Sequence, residues 1–315
     1  MNDAVGAGEF DFVALGRAQL ADAEGVAKTR RGEHEHVRRC LAVNECISRW
    51  MFNGQRTQCV INPKLSQETR AEASLRTGAE QKRVLIVGAG PAGCEAAMVA
   101  ADRGHAVTVM ERDGELGGQL RAWSAASFLN TEIEHMINFY KVELERLKVE
   151  VQLNTEASEA DLEKYDEVLL ATGTVTDDKP GGALDAVDLL TARSVPEAAE
   201  ITVYGDTEVA MFAALWLAEQ GRDVTLSSPG DSPGADTNDM ERDRLCQLLE
   251  SSGVTIRTGQ VPPEEGAVVW AQDRRADDAL ASSANRDTVR VIGTRARGGR
   301  MYEATQSGFW TASTL

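Results

Sequence analysis

The chain has 315 residues, of which 42% are hydrophobic and 26% are charged, a composition typical of a globular protein. No apolar run approaches the roughly 18 residues that a membrane-spanning helix needs, and the first residues form neither a basic leader nor an apolar signal segment. We therefore expect a cytoplasmic protein without membrane insertion. The formal net charge of −17 disfavours DNA and RNA as partners, because binding to phosphates requires clustered lysine and arginine.

The first sixty residues predict a short strand, a polar helix and a cysteine-bearing segment from Cys40 to Cys59, which we call the cysteine segment. Residues 10–15 are apolar enough for a buried strand, and residues 22–32 form a polar helical stretch. The residues before the cysteines, about forty in number, are too few to fold alone, so they must pack on the rest of the chain or on another subunit. The cysteines that follow indicate reduced thiols, metal ligands or core residues rather than disulfides.

From residue 83 onward, short apolar strands alternate with helical periodicity, which predicts a parallel α/β structure with two βαβ patterns. The predicted elements are strand 84–87, helix 92–103, strand 107–111, strand 167–170, strand 201–204, helix 208–220, strand 224–226, strand 288–292 and a helix near 302–310. We expect the last strand and helix to return to the first sheet.

A glycine motif directly follows the first of these strands and opens its helix. Gly88, Gly90 and Gly93 fall at the spacing that permits a tight turn, close approach of a pyrophosphate to the backbone, and close packing of helix on strand. The helix N terminus then faces the phosphate charge. Glu111 ends the next strand, where a carboxylate accepts hydrogen bonds from a ribose 2′-OH. Together these residues predict a site for the ADP half of a redox cofactor.

Three further patterns resemble one flavoprotein family. Arg112 to Leu120 contain a Gly-Gly turn after the ribose acid, and Ala171-Thr172-Gly173 follows a strand. Cys40, Cys46 and Cys59 match the first, third and fourth positions of the pattern C-x2-C-x2-C-x12-C. This combination is similar to the trimethylamine dehydrogenase and 2,4-dienoyl-CoA reductase family.

The resemblance implies an α/β fold with two nested Rossmann-like dinucleotide-binding units, preceded by a barrel-end remnant and a cysteine segment. We call residues 81–178 together with 273–315 the first unit, which would bind FAD or ADP. Residues 179–272 are the second unit, with a degenerate NAD site. Residues 1–62 would hold the remnant and the cysteine segment, and residues 63–80 read as a linker.

The predicted FAD or ADP ligands come from both ends of the first unit. In its C-terminal turn, Thr294 stands where the family has an aspartate that binds the flavin, so a whole FAD and ADP alone both remain open, with FAD preferred. The predicted set is Gly88, Gly90, Pro91, Ala92, Gly93, Glu111, Arg112, Gly118, Gln119, Leu120, Thr172, Gly173, Gly293 and Thr294.

The cysteine segment departs from the family at its second ligand position, where Val43 has no donor atom. Four thiolates normally hold a [4Fe–4S] cluster. Three alternatives stay open: a cluster on Cys40, Cys46 and Cys59 alone, a cluster completed by Asn44 or by a partner's side chain, and a loop without iron.

Upstream, residues 11–22 resemble the last strand and following helix of the family's FMN-binding (β/α)8 barrel. The resemblance implies that Arg17 contacts the FMN phosphate, which suits the carboxyl end of a barrel strand. An exposed arginine at a helix start is the alternative. Because the other barrel strands are missing from the sequence, we predict a heteromeric complex with an FMN barrel subunit, in which FMN lies on or is shared with the partner.

The second unit keeps only one glycine of its turn. Thr207 crowds the position where the backbone would approach a pyrophosphate, and Glu208 places negative charge near it. We therefore expect no NAD(P)H site there.

The prediction is the electron-transfer subunit of a flavoprotein dehydrogenase. The resemblance alone implies an N-methylated amine or betaine as substrate and an electron-transfer flavoprotein or a similar protein as acceptor. The rivals are part of an NAD(P)H-dependent flavin enoyl reductase and a non-catalytic assembly subunit with structural ADP. No Ser-His-Asp or Cys-His arrangement stands out, so we nominate no catalytic residue. The tryptophans have no regular spacing and are expected in the core: Trp50, Trp123, Trp216, Trp270 and Trp310.

Overall fold

A computed structural model describes residues 5–76, 80–176, 179–272, 274–277, 279–283, 287–293 and 300–315. Its helices are α1 (Gly16–Ala21), α2 (Gly25–Arg30), α3 (Glu45–Met51), α4 (Glu68–Arg76), α5 (Pro91–Asp102), α6 (Leu120–Trp123), α7 (Asn130–Arg146), α8 (Glu159–Leu162), α9 (Ala186–Ala192), α10 (Glu208–Glu219), α11 (Asp239–Ser251), α12 (Ala279–Ser283) and α13 (Met301–Ala312). A short 3-10 helix covers His34–His36.

The strands are β1 (Arg83–Val87), β2 (Ala106–Met110), β3 (Glu150–Gln152), β4 (Glu167–Leu170), β5 (Thr174–Thr176), β6 (Leu184–Asp185), β7 (Glu200–Tyr204), β8 (Asp223–Ser227), β9 (Thr255–Arg257), β10 (Val268–Trp270), β11 (Arg274–Ala276) and β12 (Val289–Val291). Within the described part of the chain, no helix is long and apolar enough to cross a membrane.

The first unit contains a parallel five-stranded sheet in the order β12-β4-β1-β2-β3. Its central strand β1 is buried from Val84 to Val87, as expected for a parallel sheet covered on both faces. Strand β12 pairs with β4, so the chain returns to this sheet from the second unit, as the sequence predicts. Helix α13 then packs on α5 at backbone distance, because a Cβ on Gly308 would collide with the Ala92 carbonyl.

The second unit repeats this architecture with a parallel sheet in the order β6-β10-β7-β8-β9. A two-stranded antiparallel ribbon of β5 and β11 runs between the two sheets. Across the contact between the units, the ring of Phe212 lies 5.7 Å from Trp123 and 5.9 Å from Phe128. The two partly buried rings of the first unit thus pack on the buried Phe212 of the second unit. The confirmed fold class is therefore α/β with two Rossmann-like units.

The strand predicted for residues 10–15 is wrong for this chain by itself. The segment is irregular, and the side chains of Phe10 and Phe12 are 60% and 83% exposed. A strand needs a hydrogen-bonding neighbour on at least one side, and within the described ranges no strand pairs with this segment.

The stretch predicted as a linker contains a helix. Helix α4 buries Ala71, and the guanidinium of Arg70 lies 4.0 Å from the centre of the Trp310 ring on α13. Arg103 also donates to the carbonyl of Ser74 over 2.6 Å, so contacts to segments distant in sequence hold this helix.

Candidate functional site

A cavity of about 920 Å³ opens at the carboxyl ends of β1, β2 and β4. This is the edge at which parallel α/β sheets bind their ligands. Most of the predicted nucleotide ligands line it: Gly88, Gly90, Pro91, Ala92, Glu111, Arg112, Gly118, Gln119, Leu120, Thr172, Gly173 and Gly293. The fold therefore brings together residues that are up to 205 positions apart, from Gly88 to Gly293, around one cavity.

Two glycines of the motif after β1 leave no room for a side chain. Gly88 has φ +101°, and a Cβ there would collide with the carbonyl oxygen of Ala171. Gly93 does not line the cavity; a Cβ on it would collide with the carbonyl oxygen of Gly88. Gly93 therefore acts by letting α5 begin tightly against β1. In the described structure no side chain caps this helix N terminus, which leaves it open towards the cavity.

Glu111 is buried at the end of β2, and both of its carboxylate oxygens accept hydrogen bonds from the backbone. The N–H of Ala89 donates to Oε2 over 2.7 Å, and the N–H of Asp113 donates to Oε1 over 2.9 Å. The first bond ties the acid to the glycine turn. Because each carboxylate oxygen has two lone pairs, Glu111 can still accept from a ribose hydroxyl.

The predicted Gly-Gly turn lies directly against the glycine motif. A Cβ on Gly118 would come within 3.0 Å of the Gly90 Cα, and Gly117 donates its N–H to the Ala89 carbonyl over 2.9 Å. Gln119 reaches across to the ribbon and donates to the hydroxyl of Thr174 over 2.8 Å. Two turns that are 28 residues apart thus form one wall of the cavity.

The opposite wall comes from the strand-to-loop crossing after β4 and from the C-terminal turn. The Thr172 hydroxyl donates to the Asp277 carbonyl, which anchors the crossing to the ribbon. Gly293 lies beside the start of α5, where its Cβ position is 3.5 Å from the Ala92 Cβ, and its N–H donates to Ser307 over 3.0 Å. Thr294 lies outside the described residues.

Several cavity residues escaped the sequence reading. Asn154 and Thr155 follow β3 at the same edge of the sheet, a placement that the strand pattern could have suggested. Val187, Asp188 and Arg274 enter from the second unit and the ribbon. Nothing in their local sequence marks them, because their place depends on how the units pack.

The three cysteines of the cysteine segment are free thiols, with Cys59 buried and Cys40 and Cys46 partly buried. Burial is the main cause that raises the pKa of Cys46 and of Cys59, and the neighbouring Cys40 raises both further. Among the residues with described positions, no group of three His, Cys, Asp or Glu side chains is placed to hold a metal ion. Because Val43 offers no thiolate, the residues present do not match a four-thiolate cluster, and the ligand set stays a prediction.

Residues on both sides of the cysteine segment bind it to the first unit, and one of these contacts is a buried ion pair. Arg38 donates to both carboxylate oxygens of Glu95 on α5, over 2.8 Å and 3.2 Å, and its guanidinium lies 4.8 Å from the centre of the Phe139 ring. From α13, Thr305 donates to the carbonyl of Val60 over 2.6 Å. The segment is therefore held in place by helices of the nucleotide site.

Arg17 is exposed at the start of α1 and donates to the side-chain oxygen of Asn44 over 2.8 Å. This bond joins the N-terminal segment to the cysteine segment. No contact tests the predicted role of Arg17 at an FMN phosphate.

Comparison with known proteins agrees with this geometry. Residues 54–185 match the family described as pyridine nucleotide-disulphide oxidoreductase. The chain is 38% identical to cinnamate reductase of Clostridium sporogenes, across 71% of this chain and 34% of the relative. It is 30% identical to NADH oxidase of Thermoanaerobacter brockii, across 97% of this chain and 52% of the relative. It is 37% identical to N,N-dimethylglycine/sarcosine dehydrogenase of Chromohalobacter salexigens, across 53% of this chain and 24% of the relative.

Among solved structures, 2-naphthoyl-CoA reductase in complex with 2-naphthoyl-CoA superposes with a TM-score of 0.93 and 26% identity, covering 99% of this chain and 52% of that one. The chain thus spans at most about half the length of the relatives it matches. The resemblance drawn from the glycine and cysteine motifs is confirmed.

Proposed function

Because this chain is homologous to the flavoprotein oxidoreductases of the trimethylamine dehydrogenase and 2,4-dienoyl-CoA reductase family, we propose that it is the FAD-binding, electron-transfer subunit of a heteromeric dehydrogenase. An FMN-binding (β/α)8 barrel on a partner chain oxidises an N-methylated amine or betaine. This chain delivers the electrons to an electron-transfer flavoprotein or a similar acceptor. The cytoplasmic location expected from the sequence belongs to this proposal.

The observation that carries the proposal is the cavity built by the glycine turn, Glu111 and the C-terminal turn. Its volume of about 920 Å³ lies near the upper end of the roughly 300–1,000 Å³ that small-molecule sites occupy, which favours FAD over the smaller ADP. The uncapped N terminus of α5 favours the pyrophosphate, and Gly90 lets it approach the backbone. Glu111 accepts from the ribose. When bound, FAD supplies reversible electron carriage.

A barrel partner is supported by an exposed apolar surface at the N-terminal end of the chain. Trp50, Met51 and Phe52 at the end of α3 are 64%, 62% and 57% exposed, contrary to the core position expected for Trp50. Phe10 and Phe12 are also exposed, and the bond between Arg17 and Asn44 links the two segments. Exposed apolar patches of this kind mark interaction sites. The substrate class rests on the relatives that oxidise methylated amines.

A second candidate, part of an NADH-dependent reductase, is favoured by the similarity to NADH oxidase and cinnamate reductase. The turn of the second unit opposes it, because Thr207 stands where a dinucleotide needs glycine. A flavin that is bleached rapidly by NADH in a stopped-flow experiment would support this candidate.

The deciding experiment is an absorbance spectrum with nucleotide and iron analysis of the chain purified together with the protein that binds it. We expect flavin bands, and FAD released on denaturation in a ratio near one per chain. Release of ADP without FAD would contradict the electron-transfer role and leave an assembly subunit. A ratio of iron to chain above background would add the cysteine segment to the redox centres.

A further inference from the structure

The helix N terminus that would face a dinucleotide in the second unit is already bound by a carboxylate of the same chain. The backbone N–H of Glu208, the first residue of α10, donates to Asp236 Oδ1 over 2.6 Å. Thr207 precedes the helix and accepts from the N–H of Ala210, while its hydroxyl donates to the Ala271 carbonyl over 2.7 Å. Two of the first three N–H groups of the helix are thus bonded to side chains of the same chain, at the positive end of the helix dipole.

Asp236 is delivered by residues 229–237, which we call the closing loop. Within it, the N–H of Ala235 donates to the Asp206 carbonyl over 2.7 Å, and Thr237 donates to Glu208 Oε1 over 2.9 Å. Gly234, with φ +68°, lies so close to α10 that a Cβ would come within 2.6 Å of the Met211 sulfur. The closing loop therefore packs on the glycine turn and on the first turn of α10 at once.

The closing loop is also held from the other side. Asn238, directly after it, donates to the Val43 carbonyl over 3.0 Å and lies 3.5 Å from Glu45. Arg300 reaches the same Glu45 carboxylate at 3.6 Å. The closing loop thus packs on the first turn of α10 on one side, and the residue that follows it is bonded to the cysteine segment on the other. Withdrawal of the loop from α10 would break contacts on both sides.

We infer that Asp236 occupies the position of a dinucleotide pyrophosphate, and that this residue, together with the closing loop, makes the second unit refractory to NADH and NADPH. A pyrophosphate arriving there would have to displace a carboxylate of the same sign from the N–H of Glu208. Asp236 and the closing loop would therefore determine that the second unit excludes these dinucleotides. This rests on the proposed function in one respect only, namely that the first unit binds an adenine nucleotide.

The test compares wild type with Glu208→Gln/Asp236→Ala, which removes both carboxyl groups from the N terminus of α10. Asp231→Ala, an exposed acid in the same closing loop, is the matched control. All proteins are saturated with ADP to fill the first unit, and the shift that ADP alone causes reports separately on the proposed function. The melting temperature is then measured with millimolar inorganic pyrophosphate, and NADH binding is measured by calorimetry.

We expect the double variant to gain at least about tenfold in NADH affinity and to melt higher with pyrophosphate, since a ligand that binds only the folded state stabilises it. Wild type and Asp231→Ala should show neither change. A natively folded double variant without any gain, or a wild type that binds NADH equally well, would overturn the inference. If the double variant fails to fold, Glu208→Gln/Asp236→Asn keeps the cap while removing the charge and should show a smaller gain in the same direction.

Discussion

Both units contain a parallel five-stranded sheet, but the turns that follow β1 and β7 differ. In the first unit, α5 begins directly after Gly90 without a side-chain cap, and its N terminus opens towards a cavity lined from three directions. In the second unit, α10 begins behind Thr207, and the Asp236 carboxylate bonds to its first N–H. The comparison teaches that a Rossmann-like fold supplies the helix N terminus, whereas a handful of turn residues decides whether a ligand or the chain itself satisfies it.

The largest effect is expected where the cysteine segment joins the first unit. Arg38→Ala leaves the buried Glu95 carboxylate without its partner, and breaking such a pair typically costs about 3–5 kcal/mol. The free energy of unfolding, measured by urea titration, should fall by that order. Arg83→Ala, at the exposed pair with Asp166, is the control and should leave it almost unchanged. Equal losses in both variants would mean that the buried pair is not what holds the segment.

Nucleotide binding in the first unit should depend on the second glycine of its turn. The Cβ position of Gly90 is 4.0 Å from the Gly118 Cα, so Gly90→Ala can fold. Its methyl group lies where the pyrophosphate must approach, and we expect about a 10- to 100-fold loss of FAD or ADP affinity. Gly181→Ala, at an exposed turn with open space around it, should bind normally. Unchanged affinity of Gly90→Ala by calorimetry would remove the pyrophosphate from this turn.

The acidic cap of the second unit should make stability depend on pH. Burial, followed by the charge of Asp236, raises the pKa of Glu208 from its ordinary 4.5 to about 8. The folded state therefore holds this proton more tightly, so the stability contribution is complete below about pH 4.5 and is lost as the pH rises through about 8. Glu208→Gln cannot lose a proton and should exceed wild type at pH 8.5 by about 1–3 kcal/mol.

The measurement is the free energy of unfolding between pH 5 and 8.5, with the exposed Glu250→Gln as control. The advantage of Glu208→Gln should vanish towards pH 5. An advantage that is independent of pH would assign the effect to packing instead of to the carboxyl group.

The smallest effect is expected at the contact between the closing loop and the cysteine segment. Asn238→Ala removes the bond to the Val43 carbonyl and the N-cap of α11, which together are worth about 1–2 kcal/mol. Asn238→Ser retains a capping group but is too short to reach Val43, so it should recover only part of the loss. Full recovery in thermal melting experiments would show that the cap alone matters.

Much of the first unit follows from local sequence. Gly88, Gly90 and Gly93 occupy positions where a side chain would meet backbone or ligand, and Glu111 ends a strand of clear apolar pattern. Such requirements are short-range, because the turn, the strand and the start of the helix are set by neighbouring residues. The loss of glycines from the turn of the second unit could be read from the sequence for the same reason.

Only the tertiary structure decided which residues lie against those turns. That Gly118 lies against Gly90, that Gly293 lies beside Ala92, and that Asp236 reaches the first N–H of α10 depends on the packing of segments distant in sequence. The strand expected at residues 10–15 failed for the same reason, since a strand exists only with a neighbour. The sequence by itself determined which backbone positions must stay bare, and the packing of the two units determined what fills the space beside them.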